Sequence, residues 1–271
     1  MKTLAFVFCY QRFVTMQLCC RSLLYNNQRP ELTVFIDDGS DKPQQDWLKQ
    51  FCRDFSACEA VFMPENHGLG NSARIAFDMA HRINPEYLFL IESDYIFRQF
   101  ALDHVLLAFE KTEHGRNCLG IAGHDDAHYY SRHYRNEVFP GGMKRQMGQD
   151  NVNRGALYRE FDYGDFTLQL VSNTCFSSFL RWRDIQTRCQ EFPELAGYLE
   201  RVINPQIDPD YPAAAIYAKE RCVDDGLLSH SINLVWNRWA IKHGVNRETF
   251  GAWLNLKPGL ATNAFFGGMH P

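Results

Sequence analysis

Apolar and polar positions are distributed along the first half of the chain in two alternating textures. The runs LAFVFC (Leu4 to Cys9), LTVFI (Leu32 to Ile36), Ala60 to Met63 and YLFLI (Tyr87 to Ile91) are continuous, short and rich in β-branched and aromatic residues. Such runs suit strands covered on both faces. Between them lie segments with apolar residues at helical spacing: Val14 to Asn27, a helix starting near Pro43, and NHGLGNSARIAFDMAHRI, which turns through Gly68 and Gly70 and then repeats Ala73, Ala76, Phe77 and Ala80. Pro is favoured in a first helical turn, where its missing N–H costs nothing. Strand and helix in alternation predict an α/β fold with a mostly parallel, Rossmann-like sheet flanked by helices.

The second half is less regular. A helix is expected over Leu102 to Lys111, a strand over Leu119 to Ala122, and a long polar loop through Arg159. Phe166 to Val171 reads as a strand, and Phe176 to Leu180 either extends it or opens the helix after Trp182. Asp224 to His243 has the pattern of a helix, whereas the tail from Lys257 to Pro271 is Gly-rich and aperiodic. No Pro/Ser/Gly linker divides the chain, so residues 1–271 are expected to form a single domain with halves at 1–115 and 116–271.

The second and fourth of these strands run directly into acidic residues, and the third into a Gly-bearing segment. Strand two ends in Asp37-Asp38-Gly39-Ser40, strand three leads through Pro64 and Glu65 to Gly68 and Gly70, and strand four ends in Glu92-Ser93-Asp94. Right-handed crossovers place the C-terminal ends of parallel strands on one edge, where open sheets bind ligands. Three features separated in sequence thereby become one candidate site. By itself Asp37-Asp38-Gly39-Ser40 is a tight turn, with Gly39 permitting positive φ and Ser40 capping. Two consecutive acids after a wholly apolar strand exceed what a turn needs and suit hydrogen bonds to a base or ribose. Glu92 and Asp94, at alternate positions, would address one face in extended backbone and offer hard oxygen donors to Mn²⁺ or Mg²⁺. A solvated loop is the plainer reading of that tripeptide, and its place opposite the other strand ends favours the ligand reading.

Charge and cysteine content narrow the partners. The net charge of −4 provides no global field for nucleic acid or an anionic membrane, so any anion must be held by local groups or a metal. The most basic neighbourhood, His124 to Arg159, interleaves His128, Arg132, His133, Arg135, Lys144, Arg145 and Arg154 with Tyr129, Tyr130 and Tyr134, but Asp125, Asp126, Glu137, Asp150 and Glu160 offset it. The nine cysteines are odd in number and form neither a C-x-x-C nor a Cys/His zinc pattern, which fits reduced thiols in a cytosolic compartment. The opening MKTLAFVFCYQRF is too brief for a signal h-region, and no stretch reaches the ~20 apolar residues of a membrane span. A cytoplasmic protein is expected, with peripheral association with a membrane enzyme system left open.

The series LAFVFCYQRF, VFIDDGSD, PENHGLGNSARIAF and YLFLIESDYIF resembles the N-terminal half of the family 2 glycosyltransferases with the GT-A fold, over roughly residues 3 to 115. There a strand ends in D-D-G-S, an N-x-G-x-x-x-A-R-N stretch opens the next helix, and a D-x-D follows the fourth strand. The resemblance implies a metal-dependent transfer from a nucleotide-diphospho-sugar, UDP-linked above all, to an acceptor hydroxyl. It makes 1–115 the nucleotide-sugar-binding half and 116–271 the acceptor half. Carried over by position, Tyr10, Asp37 and Asp38 line the nucleoside pocket, Arg74 lies beside the nucleotide or braces the site, and Asp94 is the metal-binding aspartate. Glu92 stands where the family has its first Asp, reaching ribose or metal, with Ser93 between them; Ile75 replaces the Asn after Arg74. The downstream E-D-x-x-L segment corresponds to Cys222-Val223-Asp224-Asp225-Gly226-Leu227-Leu228, with Asp225 as the general base of an inverting transfer and Asp224 beside it; a helix N-cap is the alternative use of the pair. Arg181 and Trp182 follow a segment that lines the acceptor side, and His270 is the late candidate for a third metal ligand.

Two other classes compete. A sugar-phosphate nucleotidylyltransferase needs a Gly-rich basic loop after the first strand, where this chain has CYQRF. A catalytically degenerate glycan- or nucleotide-binding protein on the same scaffold is favoured by loss of the first Asp of D-x-D and opposed by retention of Asp94 and Asp225. The acceptor stays open among a glycan, a lipid-linked sugar, a protein and a modified nucleic-acid base.

Overall fold

A computed structural model describes residues 1–25, 29–122, 157–163, 167–171, 178–184, 252–257 and 261–263. Eleven strands and five helices are found among them: β1 (Thr3–Cys9), α1 (Phe13–Leu24), β2 (Leu32–Asp37), α2 (Lys42–Asp54), β3 (Cys58–Phe62), α3 (Leu69–Ile83), β4 (Tyr87–Glu92), β5 (Tyr95–Phe97), α4 (Ala101–Lys111), α5 (Glu113–Asn117), β6 (Cys118–Ala122), β7 (Leu157–Asp162), β8 (Thr167–Val171), β9 (Ser178–Leu180), β10 (Ala252–Lys257) and β11 (Ala261–Asn263).

Nine strands form one sheet in the order β3-β2-β1-β4-β9-β6-β10-β8-β7, and β11 pairs with β5 in a separate ribbon. Strands β1 to β4 are parallel neighbours. β9 runs against both β4 and β6, and β8 runs against both β10 and β7, so these two alone oppose the common direction. The expected mostly parallel α/β sheet is therefore present, with antiparallel insertions confined to the later strands.

Burial explains the strand assignments. All seven residues of β1 are buried, as a central parallel strand requires. The helix α1 buries Met16, Cys19, Cys20, Leu23 and Leu24, a single stripe at spacings of three and four. The helix α2 begins where Pro43 predicted, with the Asp41 carboxylate accepting the Gln44 backbone N–H at 3.3 Å. Phe51 stacks on Trp47 and lies edge-on to Phe35 of β2, which fixes α2 against the sheet.

Several boundaries differ from the sequence reading. Within Phe176 to Leu180, the described residues Ser178–Leu180 are strand, because β9 fills the gap between β4 and β6. The polar loop expected through Arg159 gives way to strand at Leu157, where β7 forms the outer edge of the sheet. The tail expected to be aperiodic contributes β11 and the last residue of β10. β5 follows Asp94 unannounced, since three residues are too few for a periodic signal. The helix expected over Asp224 to His243, with Asp224 and Asp225, lies outside the described residues, as do most of the polar loop and His270. Among the described residues no helix is long and apolar enough to cross a membrane.

Candidate nucleotide-binding edge

The register of the parallel strands sets the geometry of the site. Cys9 of β1 lies beside Asp37 of β2, Asp37 beside Phe62 of β3, and Phe8 beside Glu92 of β4. The loops that follow these four strands therefore leave one edge of the sheet, as the sequence pattern required. Hydrogen bonds then tie them together. The Gln11 backbone N–H donates to Ser40 Oγ at 2.9 Å, joining the first loop to the second. The His67 backbone N–H donates to Asp38 Oδ1 at 2.9 Å, joining the second to the third. Arg12 reaches from the first loop to Asp94 after the fourth strand, with Nη1 2.6 Å from Oδ2.

The two aspartates of Asp37-Asp38-Gly39-Ser40 do different work. Asp37 is fully buried, and its carboxylate accepts the Ser40 backbone N–H at 3.0 Å, the Gln45 amide at 3.1 Å and the Gln44 amide at 3.2 Å. Donors around a buried carboxylate offset its desolvation, so Asp37 organises the turn from within. Its side chain lies within the turn, next to Asp38 at the same sheet edge. Asp38 bridges to the third loop through His67 instead. Gly39 stands between them at φ +75°, and a Cβ there would sit 2.6 Å from the Asn66 backbone nitrogen and collide with the Glu65 carbonyl carbon. Its small size lets the second and third loops touch.

Glu92 is the last residue of β4, and Ser93-Asp94 form a turn before β5. The expected extended geometry across Glu92 and Asp94 is thus replaced by a bend, fixed by the Ser93 N–H donating to the Phe8 carbonyl at 3.2 Å. Asp94 is 4% exposed and Glu92 is half-buried. The thiol of Cys19 lies beneath this turn and donates to the Glu92 carbonyl at 3.5 Å. Burial pushes that thiol's pKa well up, and the nearby Asp94 charge adds to the effect.

Arg12 and Gln11 were not visible in the sequence as site residues. Both adopt left-handed backbone, at φ 61° and 52°, where a non-glycine residue costs about 1–2 kcal/mol. Such strain persists only where surrounding contacts over-determine it. Here the Ser40 bond holds Gln11, while the Arg12 carbonyl accepts the Met16 N–H and the Thr15 hydroxyl, each at 3.0 Å, at the start of α1. The kink is what brings the Arg12 guanidinium to Asp94.

Tyr10 is 46% exposed at the mouth of this edge, and Arg74 is carried by α3. The structure does not bring Arg181 and Trp182 to it. Trp182 is buried against Phe77 and His81 of α3, and Arg181 donates to the carbonyls of Gly115 and Arg116 and pairs with Asp184 at 2.7 Å. Both side chains pack against neighbouring elements of the fold. Gln44 and Gln45 complete the set that sequence reasoning did not single out as supports, while Ser40, read as a cap, instead accepts from Gln11 and Gln44, the cap falling to Asp41. The signal of the two glutamines was weak, because an amide-rich first helical turn is common at any helix start.

Glu92 and Asp94 offer carboxylate oxygens of the kind a hard divalent cation takes, and the fold already sets a positive group against Asp94. The residues present therefore fit such a cation in kind. No group of three or more His, Cys, Asp or Glu suited to a metal occurs among the described residues.

The family model for glycosyl transferase family 2 matches residues 5–184. Among solved structures, GalNAc-T7 with UDP, GalNAc and Mn²⁺ superposes with a TM-score of 0.55 at 12% identity, covering 97% of this chain and 44% of that one. TarS of S. aureus gives 0.53 at 11% identity, covering 97% and 36%. Its 1-349 fragment in complex with UDP-GlcNAc gives 0.38 at 19% identity, covering 45% and 34%. The chain thus spans less than half the length of these proteins. What the first two share with it is the GT-A fold. No curated protein matches the chain in sequence.

Proposed function

The chain belongs to glycosyl transferase family 2, and we propose that it moves a sugar from a nucleotide-diphospho-sugar, UDP-linked, to an acceptor hydroxyl with the help of a divalent cation. The observation that carries this reading is the joining of four strand-end loops into one edge, where the buried carboxylates of Asp38 and Asp94 tie the loops together on the side of the sheet that exposed Tyr10 also occupies. UDP and Mn²⁺ are favoured because GalNAc-T7, which shares the fold, is seen with both.

In this reading Tyr10, Asp37 and Asp38 form the nucleoside pocket, Arg74 lies beside the nucleotide or braces the site, and Asp94 with Glu92 and Ser93 faces the diphosphate end. Asp94 and Glu92 would hold Mn²⁺ or Mg²⁺, with His270 as a further ligand. The bound cation supplies Lewis-acid neutralisation of the leaving diphosphate. Asp225, next to Asp224, takes the proton from the acceptor hydroxyl as it attacks from the face opposite the diphosphate, which inverts the anomeric centre. That assignment rests on the sequence segment alone. The acceptor is a glycan, lipid-linked sugar, protein or modified nucleic-acid base bearing a hydroxyl. The cysteine pattern supports a cytoplasmic location.

The test is calorimetry of the purified protein against UDP, GDP, CDP, ADP and dTDP, each with Mn²⁺, Mg²⁺ or EDTA. Selective, cation-dependent binding of UDP is the expected result. A folded sample that binds none of the five overturns the reading.

A further inference from the structure

We propose that Arg12 is a tethered counter-ion of Asp94 that competes with the divalent cation for this carboxylate, so that the cation enters only as the guanidinium leaves. The inference rests on the reading of Asp94 as the cation-binding carboxylate. The contact is short, at 2.6 Å, and its two sides are unequal: the Asp94 side chain is 6% exposed and that of Arg12 is 38% exposed. A carboxylate with so little accessible surface has no room for two cations side by side, and like charges at that separation repel strongly where water is scarce. The Arg12 side chain borders solvent, into which it can swing, whereas Asp94 is enclosed on its turn between β4 and β5.

The backbone supports a dedicated role. Arg12 occupies the N-cap position of α1 in left-handed conformation and makes no side-chain capping bond there. An Asn or Ser would cap that helix better. Neither could place a positive charge on Asp94. The neighbouring Gln11 is strained as well and is held by Ser40, on the same loop as Asp38. Placement of the guanidinium is thus tied to the loop assigned to the nucleoside. A nucleotide diphosphate arriving with the cation gives the displaced guanidinium a new anionic partner. Cation and nucleotide should therefore bind with positive coupling, each weak alone.

Mn²⁺ binding measured by calorimetry and by the electron paramagnetic resonance signal of free Mn²⁺ tests this without any turnover. In the wild-type protein UDP should tighten Mn²⁺ binding at least tenfold. In Arg12→Ala, Mn²⁺ alone should bind at least tenfold tighter than in wild type, and the UDP enhancement should shrink correspondingly. Arg12→Lys should behave like the wild type, and adding Asp94→Asn to Arg12→Ala should remove the gain. If Arg12→Ala does not fold by circular dichroism, Arg12→Gln, which keeps a polar contact without the charge, serves in its place. Mn²⁺ affinity that is unchanged or weaker in the folded uncharged variant overturns the proposal. A gain in Mn²⁺ affinity without UDP binding in any variant would sustain it while removing the nucleotide reading.

Discussion

Asp38 and Asp94 leave the same sheet edge, yet their surroundings assign them separate tasks. Asp38 bridges two loops through the His67 backbone N–H, whereas Asp94 is buried against a guanidinium. Asp38→Ala should weaken UDP affinity about tenfold, near 1.4 kcal/mol, while leaving the preference between Mn²⁺ and Mg²⁺ unchanged. Equal UDP affinity in calorimetry would remove Asp38 from the nucleoside pocket. Asp94→Ala should abolish the cation dependence of nucleotide binding, read as identical titrations in Mn²⁺ and EDTA. Asp225→Asn should bind donor as the wild type does but transfer ~10²-fold more slowly, and unchanged turnover on a working acceptor would end its assignment as base. Asp38 and Asp94 were legible in the sequence because each follows an apolar strand. Arg12 was not, since nothing in CYQRF announces two left-handed residues; nor were Gln44 and Gln45, whose partner, Asp37, becomes evident only in three dimensions.

At the level of elements, the four early strands and their helices were readable because each carries one clean periodicity from end to end. α1 is an example, its five buried residues forming an uninterrupted stripe. The short strands were hidden for the opposite reason. β5, β9 and β11 span three residues each, and their conformation is set by the partner strand rather than by local preference. The turn after β2 offers a test of how elements meet. Gly39→Ala places a Cβ too close to the backbone of Glu65 and Asn66 at positive φ, so one of the two loops must shift. A loss of about 1–3 kcal/mol in urea denaturation is expected, together with weakened UDP binding. A variant of wild-type stability would show that the second and third loops do not need this close approach.

At the scale of the whole molecule, free thiols are built into the interior: among the described residues Cys9, Cys19, Cys20, Cys58 and Cys118 are buried. Burial raises the pKa of Cys118 to about 12, and Cys19 and Cys20 are likewise pushed up by burial. The sign follows from linkage. Below about pH 9 these thiols are protonated in both states and their contribution is level; above it the unfolded chain releases protons that the folded chain retains, so stability falls. The decline should run from about pH 9 toward the folded value near 12, at up to ~1.4 kcal/mol per pH unit for each fully buried thiol. Thermal melts should be level between pH 8 and about 9 and drop from there to about 10.5, and Cys118→Ala should flatten that drop. A pH-independent melt over that range would show that the thiols are not held protonated.

The pairing of β5 with β11 sets Tyr95 opposite Asn263 and Phe97 opposite Ala261. The strand that emerges from the Asp94 turn is therefore completed by chain synthesised roughly 160 residues later, a closure whose entropic cost grows only logarithmically with length but whose timing is late. During synthesis β1 to β4 can assemble while β5 still shows an open rim beside Asp94. The edge assigned to the donor gains this neighbour only once Ala261–Asn263 has been made, so the first four strands of a nascent chain can be in place well before that edge is complete.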